Sequence, residues 1–390
     1  MARNPQHEML ARQTPEEFSR QLFVMKLKHV LNRDVRPGTR MIYDQRVEPA
    51  FKAEHGRAPE TAGEIQDAME KDVSYQMFSC MMRTAQEMLW EAVLDTVKRE
   101  EPRQREVAKR LTAPGAAKGS LSLDPNFEVP RGIAQINIHL QPFGYALDSD
   151  PGDVMAGALY ESGGTLYSAG QGIGTGESKP EVVRRFLKER YPGFTPTKIL
   201  DIGCSAGNSA TPWAQMFPEA EVHAVDVGAG MLRYAHARAE AIGVKVHFHQ
   251  MDAANLTFPN GSFDLVVSHN AMHEMPTKTT RAMIHRSWDL LVPGGIAIHQ
   301  DVPLRFAGTT AFQQFERSWD QYYNNEPYWI AYASNEYAPM LLEAGFPEEA
   351  VWHGFFKQLD GAIQVPWFIN VAQKPLDGKK AKPRLSEAAD

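Results

Sequence analysis

Three short stretches of the chain carry residue types at spacings suited to chemistry on a small molecule. The first is Asp201-Ile-Gly-Cys-Ser-Ala-Gly-Asn208, a DxGxxxGN turn fed by the apolar run Lys198-Ile-Leu. Gly203 and Gly207 remove side chains where the backbone must turn tightly and lie against a ligand, and a helix starting near Asn208 offers unpaired N–H groups. Asp201, at the end of the strand, can accept from a cationic or amino group. The second is Asp226, which closes the run Glu221-Val-His-Ala-Val about twenty residues past the glycines, where a carboxylate can accept both hydroxyls of a ribose. The third is Ser268-His-Asn-Ala-Met-His-Glu-Met275, which follows the apolar run Phe263-Asp-Leu-Val-Val. Its His273 is suited to removing a phenolic or hydroxyl proton near neutral pH, and Glu274 to orienting the ring or stabilising its charge. A histidine held for structure alone fits the same pattern.

Other chemistries fit less well. A dinucleotide fingerprint needs a third glycine and a phosphate loop needs a lysine followed by Ser or Thr; the turn at 201–208 has neither, and Asp201 would repel a pyrophosphate. Gly157 to Gly176 contains a GxGxxG-like run, but no strand leads into it and no βαβ unit surrounds it. His269 and His273, at i and i+4, would present a metal from one helical face; no third ligand is identifiable, so no metal is assigned.

In order and spacing these motifs, with Val244 to Asp252 as a further strand and Leu291-Val-Pro-Gly-Gly295 as the turn before the strand Ile296 to Asp301, closely resemble the class I S-adenosylmethionine-dependent methyltransferases. The resemblance covers roughly residues 165 to 375, just over half the chain. It implies an α/β, Rossmann-like seven-stranded sheet whose last two strands, Val351 to Leu359 and Trp367 to Ala372, form an antiparallel edge. It also implies S-adenosyl-L-methionine as cofactor, with contacts from Asp201, Gly203, Cys204, Ser205 and Gly207 in the loop. Asp226, Val227 and Met231 would follow on the ribose side, Asp252 and Ala253 at the adenine edge, and His269 and Asn270 after the fourth strand. Tyr160 and Tyr167 would cover the methionine end, where an aromatic face can meet a sulfonium; packing of an interdomain seam is the alternative. His273 lies nine residues after Asp264, the spacing of the general base in plant-type O-methyltransferases, whose motif there is His-Asp-Trp; here it is His-Glu-Met. A structural glycine-rich turn in some other α/β protein is the competing explanation of the first motif.

The alternation of strands and helices needed to hold these residues argues for an open sheet with ligand at the carboxyl ends of its strands. A 303–350 insertion is richer in aromatics than a minimal cofactor domain requires, and Trp319, Tyr322, Tyr323 and Trp329 are its candidates for a lid over a ring-containing substrate. Phe312, Phe315 and Trp319 also follow a helical period and so suit an ordinary core. Residues 1–130 form an additional, mainly helical N-terminal lobe, in which Met77, Met81, Ala85, Met88, Leu89, Ala92 and Val97 make an apolar stripe. The stripe predicts a packed core or a subunit contact, so the lobe is expected to cap the pocket or form a homodimer. Thr112 to Pro130 reads as a linker and Ile133 to Leu140 as a strand by alternation. Residues 131–180 are expected to connect over the cofactor site, 181–375 to form the methyltransferase domain, and 376–390 to be a disordered tail.

Composition agrees with an enzyme of more than one domain: 390 residues, 43% of them hydrophobic, can bury a core plus a second lobe. A net charge of −7 gives no overall footprint for nucleic acid, and no apolar run approaches the eighteen or so residues of a membrane span. Two cysteines, Cys80 and Cys204, exclude a disulfide framework and fit a reducing compartment, so a cytoplasmic location is expected. The function expected is methyl transfer to a small organic molecule, with oxygen the favoured acceptor. Carbon, nitrogen or sulfur methylation, or a non-catalytic cofactor-binding subunit, are the alternatives.

Overall fold

A computed structural model of the chain describes residues 7–167, 179–357 and 366–381. Its centre is a single sheet with strand order β1-β4-β3-β2-β5-β6-β8-β7. In chain order the strands are β1 Ser120–Ser122, β2 Lys198–Ile202, β3 Glu221–Asp226, β4 His247–Gln250, β5 Phe263–His269, β6 Leu291–Asp301, β7 Val351–Lys357 and β8 Pro366–Gln373. All pairs are parallel except β6 with β8 and β7 with β8. After the edge strand β1, the chain enters the middle of the sheet with β2, moves outward through β3 and β4, and returns to place β5 on the other flank of β2. That reversal opens a crevice at the carboxyl ends of β2 and β5, where Gly203 and Asn270 sit.

Continuous apolar runs make the central strands, because both faces are covered. Ile199, Leu265, Val267, Ile296 and Ile298 pack under the helix Lys179–Arg190 and beside Trp213, while Leu200, Ile202, Val266 and Ala297 pack against the helices Thr277–Leu290 and Tyr337–Ala344. Asp264 fixes the entry to the sheet by accepting from Thr197 N at 2.8 Å and Lys198 N at 3.0 Å, which ties β5 to the start of β2.

Four features differ from the expectations drawn from sequence. The sheet has an eighth strand: β1 comes from the stretch that reads as a linker, and pairs in parallel with β4 from Ser120 opposite His247 to Ser122 opposite His249. Three residues of extended chain at an existing sheet edge need no periodicity of their own. Ile133 to Leu140 is not a strand but a helical turn, Arg131–Ala134, followed by the 3₁₀ turn Ile138–Leu140. Its apolar alternation is consumed by local turns, with His139 at φ 56° and Leu140 at φ 61°. Thirdly, β6 begins at Leu291, so the Pro-Gly-Gly turn lies inside the strand as an irregularity before the regular pairing of Ile296 to Asp301. Finally, the start of the C-terminal tail packs: Ala381 N donates to Gly345 O at 3.0 Å.

The N-terminal helices pack against the sheet's flanking helices and the insertion. Pro15–Val30 starts with a capping box between Thr14 and Glu17, and the 39-residue helix Val73–Leu111 is capped by Asp72. Leu89, Trp90, Val93 and Val97 of the long helix share one apolar cluster with Leu159 from the helix Met155–Tyr167 and Met231, Tyr234 and Ala237 from the helix Ala229–Ile242. Among the described residues, no helix is long and apolar enough to cross a membrane.

Candidate active site

The crevice at the ends of β2, β3 and β5 encloses a cavity of about 270 Å³. Its wall is built from the turn after β2 (Gly203, Ser205), the end of β3 (Asp226, Val227), the segment after β4 (Asp252, Ala253) and the turn after β5 (Asn270, Ala271, Glu274). Tyr160 closes it from the helix Met155–Tyr167, and Tyr145, Arg131 and Tyr328 complete it from segments outside the sheet.

The glycine turn is shaped by contact as well as by conformation. Gly203 has φ +74°, and a Cβ there would stand 2.8 Å from the Ala271 Cβ. Only glycine therefore lets the β2 turn close against the β5 turn. Ser205 N and Gly228 N donate to the Asp226 carboxylate at 2.9 and 3.1 Å, which orients it at the cavity wall. Burial raises the pKa of Asp226, and these backbone donors oppose the shift. A carboxylate with two such bonds still has lone pairs for two hydroxyl donors. Asn270, at φ 52°, has its Oδ1 buried without a donor, so the cavity wall holds an acceptor that a ligand could satisfy. A cavity with an acidic edge, an orphaned amide oxygen and a side-chain-free turn fits S-adenosylmethionine.

Several residues expected at the cofactor lie behind this wall. Asp201 is fully buried beneath the turn, with the Ser209 hydroxyl donating to one oxygen and the other oxygen unpaired; burial pushes its pKa up to about 7. Cys204 and Gly207 pack inward, Gly207 against Ala235 and Phe248, and Met231 belongs to the seam with the N-terminal helices. His269 is also internal: it accepts from Trp213 Nε1 at 3.0 Å, and its Nδ1 meets Gln300 Oε1 at 3.1 Å. The Tyr167 side chain lies outside the described residues.

His273 stands on the 3₁₀ turn Met272–Glu274, not on a helix, so it does not share a helical face with His269. Its Nδ1 meets Asp301 Oδ1 at 2.6 Å, and Asp301 also accepts from Met272 N at 2.8 Å. Burial disfavours the charged ring, but Asp301, Glu274 and Glu326 outweigh it and raise the pKa to about 9. Trp329 packs edge-on against the ring at 5.4 Å, with its own Nε1 donating to Arg317 O. The neighbouring Tyr328 lines the cavity.

The other aromatics proposed as a lid face elsewhere. Trp319 packs in the cluster that joins the insertion to the N-terminal helices and donates to Ser79 Oγ at 3.3 Å. The Tyr323 hydroxyl bonds Glu70 and Gln66, and Tyr322 is exposed. The helical period of this stretch serves the lobe interface. Sequence reasoning missed Asp301, which appears only as the end of a strand, and His139 and Glu326, which meet Glu274 across the fold. His139 Nε2 lies 3.1 Å from Glu274 Oε1, and His139 Nδ1 lies 2.5 Å from Glu326 Oε1.

Residues 199–295 match the methyltransferase domain family. The chain is 34% identical over 110 residues to a trans-aconitate 2-methyltransferase of Methylobacterium radiotolerans, covering 28% of this chain and 40% of that protein. It is 41% identical over 71 residues to a demethylmenaquinone methyltransferase of Thermus thermophilus, covering 18% and 32% of the two chains. The chain thus spans less than half the length of these curated relatives. Among solved structures, a phosphoethanolamine N-methyltransferase of Haemonchus contortus in complex with S-adenosyl-L-methionine aligns over 51% of this chain and 53% of its own, at 18% identity and a TM-score of 0.38. Residues 199–295, the stretch that holds the glycine turn, Asp226 and the His273 turn, are thus similar to the methyltransferase domain.

Proposed function

We propose that the protein transfers a methyl group from S-adenosylmethionine to a small organic molecule, with an oxygen atom as acceptor. The observation that supports this reading is that Glu274 lines the cavity together with Gly203, Asp226 and Asn270, with His273 buried beside it on the same turn. When bound, the cofactor supplies an activated methyl on a sulfonium. Asp226 is assigned to the ribose hydroxyls, Asp252 and Ala253 to the adenine edge, and Tyr160 to the methionine end. Asp301 holds His273 Nδ1, so Nε2 is the nitrogen that takes the acceptor's proton once the ring is neutral, which its pKa of about 9 places at alkaline pH. The acceptor oxygen then forms its bond to the methyl carbon as the carbon–sulfur bond breaks, and the sulfur keeps that electron pair as a neutral thioether. Positioning carries much of the rate, because the donor is already activated.

The test combines labelled S-adenosylmethionine with fractionated small-molecule extracts, and identifies the labelled product by mass spectrometry. With that substrate, His273→Ala should bind S-adenosylhomocysteine almost as wild type does while turning over about 10²–10⁴-fold more slowly. Full activity in the variant would shift the acceptor to sulfur or to a pre-ionised carbon. Cofactor binding with no labelled product from any fraction would instead favour a non-catalytic binding subunit.

A further inference from the structure

Two imidazoles and three carboxylates meet beside the cofactor cavity. His139 comes from the turn at 138–140, His273 and Glu274 from the turn after β5, Glu326 from the insertion and Asp301 from the end of β6. Each histidine has a carboxylate on Nδ1: Glu326 at 2.5 Å from His139 and Asp301 at 2.6 Å from His273. Both Nε2 atoms then turn toward one oxygen, Glu274 Oε1, at 3.1 Å from His139 and 3.6 Å from His273. Donor atoms of His139, His273, Glu274 and Glu326 all lie within 4.8 Å of one another.

We propose that His139 Nε2, His273 Nε2 and the Glu274 carboxylate bind a divalent first-row transition metal ion, zinc or ferrous iron, at the wall of the cofactor cavity. An ion with ligand distances of about 2.0–2.2 Å in tetrahedral geometry needs donor atoms roughly 3.4 Å apart, and the two distances to Glu274 bracket that value. Two histidines and one carboxylate with positions left open is the donor set of catalytic zinc and of non-haem ferrous iron. Magnesium and calcium, which take oxygen, suit it poorly. The Nδ1 carboxylates are the outer partners that orient a metal-bound imidazole and fix its tautomer, so Glu326 and Asp301 act as positioning residues.

Two further observations favour a cation at this cluster. Glu326 is 1% exposed, yet neither of its carboxylate oxygens has a hydrogen-bond donor in good geometry, Oε1 meeting His139 Nδ1 only as an ion pair, and Glu274 Oε2 has none either. Among the described residues, no lysine or arginine forms an ion pair with Glu274, Glu326 or Asp301. Three carboxylates enclosed with only two imidazoles are short of positive charge, which burial makes costly. The approach of His139 is also built in. Trp90 Nε1 and Gln86 Nε2 donate to its carbonyl at 2.6 and 2.9 Å, which holds the residue in its left-handed conformation.

Glu274 belongs both to this cluster and to the cavity lining, so an ion held there would lie next to the space left for the acceptor. The role of the ion rests on the methyltransferase reading: it would bind the acceptor's oxygen as the anion, the proton passing to solvent, and so select oxygen-bearing substrates. His273 Nε2 would then be a ligand, not the base.

The experiment uses the full-length protein, stripped with a chelator and titrated with Co²⁺ under absorbance detection and with Zn²⁺ by calorimetry. One ion per chain, with cobalt d–d bands and micromolar or tighter affinity for zinc, is expected. Millimolar Mg²⁺ should not compete. His139→Ala and Glu274→Gln should abolish the bands, and Glu326→Gln should weaken zinc about 10–100-fold, the usual effect of an outer-shell partner. Asp226→Ala should keep the ion while losing S-adenosylhomocysteine. Wild-type protein that binds S-adenosylhomocysteine but no ion at 1 mM zinc overturns the metal site, as does undiminished cobalt binding in both ligand variants. Protein that binds the ion but no S-adenosylhomocysteine retains the site and overturns the cofactor reading instead.

Discussion

Asp226 shows how far a single residue's role follows from its spacing. Its carboxylate lies at the end of β3 on the cavity wall, oriented by two backbone donors, the position that the proposed function gives to a ribose acceptor. Asp226→Ala should therefore weaken S-adenosylhomocysteine, because hydroxyls left without an acceptor cost roughly 1–3 kcal/mol. Calorimetry reads this directly, and unchanged affinity would move the ribose elsewhere on the wall. His139 and Glu326 were not legible in the same way. Neither belongs to a motif, and each reaches Glu274 or its partner through turns with φ above zero, His139 itself and Asn325 beside Glu326. No period or propensity in the sequence foretells such turns.

At the scale of elements, the central strands and the helix Ala229–Ile242 were readable because burial on both faces of the sheet leaves a continuous apolar run, and an amphipathic helix leaves a period. The helix Met155–Tyr167 was hidden by its glycines, Gly164 and the closely packed pair Gly157 and Gly163, in a stretch expected only to connect. Both are needed for contact: a Cβ on Gly157 would lie 2.3 Å from the Tyr234 Cβ, and one on Gly163 would lie 2.4 Å from the Trp90 ring. This close packing buries Glu161, which meets Arg238 Nε at 2.9 Å, Tyr234 Oη at 2.6 Å and His7 Nε2 at 3.2 Å. Arg238 in turn donates to Gly207 O at 3.2 Å and Thr211 Oγ1 at 2.6 Å, so the pair braces the cofactor loop from behind.

Burial opposes the charge on Glu161, yet Arg238, His7 and Tyr234 overcome it and hold the pKa down at about 2. A folded-state pKa below the unfolded value gives stability that is complete above the unfolded pKa and is lost as pH falls toward the folded one. Glu161→Gln leaves the Arg238 charge buried without its partner, which costs on the order of 3–5 kcal/mol. The advantage of wild type over this variant in urea unfolding should stay level from pH 7 to about pH 5 and narrow below about pH 4.5. A difference that does not change with pH would mean that Glu161 is not charged in the fold.

For the whole molecule, the question is whether the N-terminal helices are an appendage or part of the catalytic body. The long helix Val73–Leu111 contributes Leu89, Trp90, Val93 and Val97 to a cluster whose other half is Leu159, Met231, Tyr234 and Ala237, directly behind the cofactor wall. The same N-terminal region supplies β1 to the sheet edge, and His7 and the Met9 carbonyl to Glu161 and Tyr234. Such a surface is burial that the sheet domain cannot replace by itself. Deleting residues 1–130 should therefore give a chain that aggregates or that lacks S-adenosylhomocysteine binding, while Val93→Ala, which removes two buried methyl groups from the seam, should lower stability by roughly 1–3 kcal/mol with the site intact. Size-exclusion chromatography and calorimetry on both proteins decide the matter. A soluble, monomeric remnant with wild-type affinity would show that the sheet closes its own core and that the helices serve only as a cap.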